Sequence, residues 1–137
     1  MKTPIRFTAL ALSLLLASGF ATAADLKIGV SMSQFDDTYL TNVREYMDKQ
    51  AKSYPKGDGV QLQFEDARAD VVKQLSQVEN FISQKVDAII VNPVDTASTA
   101  RISKSALEAG IPLVYVNRRP DQKDLRSEEH TSELQSP

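Results

Sequence analysis

Four places along the chain end a short apolar run in polar residue types suited to holding hydroxyl groups. They are Gln34-Phe35-Asp36-Asp37-Thr38-Tyr39, Glu65-Asp66, Asn92-Pro93 and Asn117-Arg118-Arg119. An ionised carboxylate accepts hydrogen bonds from two vicinal hydroxyls, each worth roughly 1.5–3 kcal/mol when charge is involved. The amides of Asn92 and Asn117 both donate and accept, as a hydroxyl does. Arg118 stays charged and presents its donors in a fixed fork, so it can hold ring and hydroxyl oxygens in one orientation. Phe35 and Tyr39 carry rings able to stack on the C–H face of a sugar. Together these residues suit the binding of a polyhydroxylated small molecule.

Each residue also has a plainer role. Asp36 and Asp37 are neighbours, so from an extended segment one faces a ligand while the other supports the loop or helix start. Both would in any case favour the positive end of a helix. Phe35 fits core packing at a strand-to-helix corner as well as it fits stacking. Asn92 precedes Pro93, which imposes an extended or turn conformation, and a turn asparagine can bond its own backbone. Surface ion pairing accounts for Arg119 and is the alternative for Arg118.

Catalytic arrangements fit poorly. Gly57-Asp58-Gly59 lacks a third glycine and precedes a strand, whereas a dinucleotide fingerprint follows one. Gly29-Val30-Ser31-Met32-Ser33 lacks the second glycine of a nucleophile elbow. Asp66 and Asp70 lack the spacing of a calcium loop. The chain has no cysteine, and its one histidine, His130, lies in a polar tail. That removes a thiolate site, a disulfide and the usual general base. No metal and no cofactor are implied.

The polar ends need a scaffold, and the apolar periodicity supplies it. Residues 26–32 form a compact apolar strand. A helix starts near Asp37 or Thr38, carries Leu40, Val43, Met47 and Ala51 at helical spacing, and stops before Pro55. Val60, Leu62 and Phe64 alternate as a half-buried strand. Asp70 caps a second helix whose predicted buried stripe is Val71, Leu75, Val78 and Ile82. Residues 88–91 are continuously apolar, as in a strand covered on both faces. A third helix is expected over 96–109, closed by Gly110, and a fourth strand over 113–116. Such alternation defines an α/β fold, a doubly wound parallel sheet. Its strand ends share one edge, where ligands of such sheets bind.

The 137 residues are 42% hydrophobic and 25% charged, with a net charge of −2. That is one domain of ordinary composition, without the basic stripe of a nucleic-acid binder. Residues 1–23 read as a secretory signal, with Lys2 and Arg6, an apolar stretch over 7–16 and Ala21-Thr22-Ala23 before the cleavage point. The apolar stretch is too short to remain as a membrane span, so the expected location is the periplasm. Residues 24–121 carry the strand and helix alternation. Residues 122–137 do not, and from about 126 they resemble the translation of a sequencing adapter, a non-native tail to be set aside.

The ordered motifs resemble a family. Leu26-Lys27-Ile28-Gly29-Val30-Ser31-Met32, Phe35-Asp36-Asp37, Val91-Asn92-Pro93-Val94-Asp95, Gly110-Ile111-Pro112-Leu113-Val114 and Asn117-Arg118 are similar to the type I periplasmic sugar-binding proteins. These are the ribose and galactose receptors of ABC importers. Ser33-Gln34-Phe35-Asp36-Asp37-Thr38-Tyr39 looks most like the rhizopine- and inositol-binding branch. The resemblance implies the N-terminal lobe only, truncated after its fourth strand, with the first and third strands side by side. It also implies ligand contacts at Asp37, Tyr39, Asn92, Asn117 and Arg118, with Phe35 and Asp66 weaker transfers. It implies a monomeric, non-enzymatic protein that closes around a sugar or cyclitol and meets an inner-membrane ABC permease with its ATPase. A periplasmic receptor serving chemotaxis or a sensor kinase, and the effector lobe of a transcriptional regulator, are the other readings of the same fold. The regulator would need a DNA-binding helix where this chain carries its signal.

Overall fold

The computed structural model describes residues 25–54 and 59–121; the expected signal sequence and polar tail lie outside them. The elements run β1 (Leu26–Met32), α1 (Thr38–Ser53), β2 (Val60–Asp66), α2 (Val71–Ser83), β3 (Ala88–Val91), a 3-10 turn (Thr96–Ser98), α3 (Thr99–Glu108) and β4 (Leu113–Tyr115). All pairings are parallel, in the order β2-β1-β3-β4. β1 and β3 are therefore neighbours, as the resemblance implied, with Val30 opposite Ile90.

Alternation along the strands sorts side chains to two faces. On one face Val30, Met32 and Leu40 form a core with Ile28, Val43, Met47, Leu62, Phe64 and Ile90, drawn from α1 and the sheet. On the other, Val78, Phe81, Ile89, Val91 and Ile102 are buried between α2, α3 and the sheet. Burying apolar area on both faces is what makes the continuous Ala-Ile-Ile-Val run of β3 stable as a strand.

Local chemistry sets the helix ends. Asp37 Oδ1 accepts from the Leu40 N–H at 2.9 Å, and Asp70 Oδ1 accepts from Val72 and Lys73 at 2.8 and 3.0 Å. Both are side-chain N-caps. Gly110 adopts φ +68 just past Ala109, the residue that caps α3, in the left-handed conformation in which glycine is unpenalised.

Two expectations change. The predicted third helix begins instead as a 3-10 turn, with Asp95 Oδ1 accepting from Ala97, and becomes α-helical at Thr99. The buried face of α2 is also rotated. Val78 is buried as expected, but Leu75 and Ile82 pack only at the margin of the core and Val71 is exposed, while Gln74, Gln77 and Phe81 are buried. The two glutamines can be there because the strand ends supply partners for their amides.

Candidate functional site

The C-terminal ends of the strands carry a buried polar network. Ser31 Oγ donates to Gln77 Oε1 at 2.8 Å, and Gln77 Nε2 donates to the Asp66 carbonyl at 2.9 Å. Gln74 Nε2 reaches Ser31 Oγ at 3.2 Å. Asn92 is fully buried. Its Oδ1 accepts from the Ser33 N–H at 3.3 Å and its Nδ2 donates to the Val116 carbonyl at 3.2 Å. One amide thus ties together the ends of β1, β3 and β4. The expectation gave Asn92 to the ligand; as placed, its donor and acceptor atoms hold the edge itself.

The loop after β2 is fastened to β1. Ala67 N–H donates to Met32 O at 2.9 Å and Ala69 N–H to Ser33 O at 2.7 Å. Asp66 Oδ1 accepts from the Arg68 N–H at 2.8 Å. Arg68 and Ala69 both sit in left-handed backbone, φ 53 and 57, a conformation costing an L-residue roughly 1–2 kcal/mol. Conformations of that cost persist where surrounding bonds over-determine them, and they cluster at ligand sites.

Between this loop and the β1–α1 loop lies an open depression of about 480 Å³, lined by Gln34, Phe35, Asp36, Asp66, Arg68 and Ala69. A second depression, of about 420 Å³, is lined by Lys27, Ile28, Gln61 and Leu62 near the strands' opposite ends. The first is the better candidate, because parallel sheets bind ligands beyond their carboxyl ends and the side chains there include acids, an amide, a ring and a guanidinium.

The acid pair divides its roles. Asp37 caps α1 through Oδ1, whereas Asp36 is exposed on the depression. Phe35 lines it too, and is set by Arg44, whose guanidinium carbon lies 3.8 Å from the ring centroid. Arg44 Nη2 and Thr41 Oγ1 both donate to the Phe35 carbonyl, at 3.1 and 3.0 Å. Arg44 Nε is buried without a hydrogen-bond partner among the described residues; stacking on Phe35 is the contact it makes instead.

The remaining candidates fall elsewhere. Tyr39 is 59% exposed on the first turn of α1. Asn117 is exposed with φ 64, in a tight turn closed by the Arg118 N–H to Val116 O at 2.7 Å. Arg118 Nη1 donates to the carbonyls of Pro93 and Val94, at 3.2 and 2.8 Å, joining the ends of β3 and β4. Asn92, Asn117 and Arg118 are thus brought together at β3 and β4, while Phe35 and Asp36 face the β1–β2 side. The motif reading passed over Arg68; its place just past the end of β2 was the available signal.

A parallel α/β lobe with a polar, hydroxyl-suited edge at the carboxyl ends of its strands has the architecture of a ligand-binding lobe. The chain belongs to the periplasmic binding protein domain family, whose sequence profile matches residues 28–129. It is 54% identical over 109 residues to a Rhizobium meliloti protein named "Putative rhizopine-binding protein", covering 79% of this chain and 34% of that one. It is 32% identical over 98 residues to the ribose import binding protein of Bacillus subtilis, covering 72% of this chain and 31% of that one. Among solved structures, an ABC transporter solute binding protein from Bacillus halodurans with bound myo-inositol superposes with a TM-score of 0.67 at 43% identity. That match covers 76% of this chain and 35% of that one. The chain therefore spans about a third of the length of the curated relatives it matches.

Proposed function

We propose that this lobe is half of a two-lobed periplasmic solute-binding protein serving a carbohydrate or cyclitol ABC importer. The ligand is a monosaccharide, inositol or rhizopine-like polyol, held between the lobes at the C-terminal ends of the strands. The observation that carries this reading is the convergence of Gln34, Phe35, Asp36, Asp66 and Arg68 on one depression at that edge. Hydroxyls donate to the carboxylates, the Gln34 amide donates to ring and hydroxyl oxygens, and Phe35 supplies apolar contact. The names of the relatives, a rhizopine binder and a ribose importer component, point to the same ligand class.

The mechanism is capture by closure. The lobes rotate together about a hinge, remove the polyol from water and present a closed surface to the inner-membrane permease. The protein works as a monomer in the periplasm after loss of residues 1–23, and no bond in the ligand is made or broken.

The test is a thermal-shift and calorimetric screen of the full-length protein against myo-inositol, D-ribose, D-galactose and D-allose. Saturable binding of at least one, at micromolar concentration or tighter, is expected. Indifference to every polyol overturns the reading.

A further inference from the structure

The loop that follows β2 is a well-fastened mount for one exposed side chain. Its backbone is fixed through Ala67 to Met32, Ala69 to Ser33 and Asp66 to Gln77, and Ala67 itself is fully buried. The Arg68 side chain is nevertheless 79% exposed, and its one ion-pair contact among the described residues, to Asp66 Oδ2, is long at 3.9 Å. It lines the same depression as Asp36 and Gln34. The fixed backbone sets where the side chain starts, and the exposed guanidinium keeps its donors available to oxygens entering the depression.

Resting on the function proposed above, we propose that Arg68 contacts the bound polyol and helps determine which polyol is preferred. Its fork donates to oxygens on the β2 side of the ligand, while Asp36 accepts from hydroxyls on the β1 side. A cyclitol, hydroxylated all round its ring, would fill both sides; a pentose offers fewer oxygens to the arginine. Arg68 therefore favours the larger polyol.

The experiment titrates the full-length wild type and the variants Arg68→Asn and Arg68→Lys with myo-inositol and D-ribose, alongside melting of each ligand-free protein. Asparagine tolerates left-handed backbone, so Arg68→Asn removes the guanidinium and spares the loop. The expected result is unchanged ligand-free melting, roughly ten-fold or greater weakening towards the preferred polyol, and a narrowed preference between the two. Arg68→Lys keeps the charge but not the fork, and is expected to recover part of the affinity. Wild-type affinity and preference in Arg68→Asn overturn the inference while leaving the proposed function intact. If Arg68→Asn fails to fold, Arg68→Lys decides, and wild-type affinity there overturns recognition by the fork. A wild type that binds neither these nor any other polyol removes both the function and the inference.

Discussion

The carboxamide of Gln74 donates to the main-chain carbonyl of Asn92 at 2.9 Å, and its Oε1 accepts from the Val94 N–H at 2.9 Å. The side chain thereby acts as a short piece of strand on either side of Pro93, which has no N–H of its own to offer. A helix residue is in this way stitched into the sheet edge that carries the candidate site.

Replacing Gln74 by Leu keeps the bulk and leaves the Asn92 carbonyl and Val94 N–H buried or half-buried without their partner. The expected loss of stability is about 2–4 kcal/mol, measured by urea denaturation of the full-length protein. A loss below the scatter of surface substitutions would show that water replaces the amide without cost.

Gly29 lies under the Phe81 ring, so an added Cβ would sit 2.4–2.7 Å from three ring carbons. Gly29→Ala is expected to destabilise by about 1–3 kcal/mol through overpacking. Combining it with Phe81→Leu should cost less than the two changes added together, because the shorter side chain vacates that space. Strict additivity in a double-mutant cycle would argue that the ring moves aside freely.

Asp36 and Asp37 should separate binding from folding. Asp37→Ala loses the cap on Leu40 and about 1 kcal/mol of stability, read from the melting of the ligand-free protein. Asp36→Asn should leave that melting in place and weaken polyol binding by roughly ten-fold. The reverse pattern would return the ligand contact to Asp37, where the family resemblance had put it.

Asn117 occupies left-handed backbone in the turn after β4. Asn117→Gly should melt with the wild type, since glycine adopts this conformation freely. Asn117→Val should lose about 1–2 kcal/mol or more. Weaker binding in Asn117→Gly at unchanged melting would put the amide in contact with the ligand; unchanged binding would assign Asn117 to the turn alone.

What the chain settles locally was legible in it. Strand and helix alternation, a start of α1 at Asp37 or Thr38, the cap at Asp70 and the closing Gly110 each depend on a few consecutive residues, and the structure reproduces them, with Asp37 as the cap of α1. The family was legible too, because its motifs are contiguous and ordered. Side-chain alternation allowed only one of Asp36 and Asp37 to face a ligand, and the family resemblance put Asp37 there; in the structure Asp37 caps α1 and Asp36 is the exposed one.

Tertiary structure alone decided the rest. Gln74 and Gln77 lie outside the expected buried stripe of α2, yet they are buried, because Ser31, 43 and 46 positions earlier in the chain, and the Asn92 carbonyl, 18 positions later, meet their amides. Asn92 read as ligand-facing, yet Ser33 and Val116, 59 and 24 positions distant, engage its side chain. Arg68 comes to line the depression only because β1 fastens the loop that carries it. Hydrophobic periodicity records which residues avoid water; whether a buried polar group finds a partner depends on groups brought close only by folding.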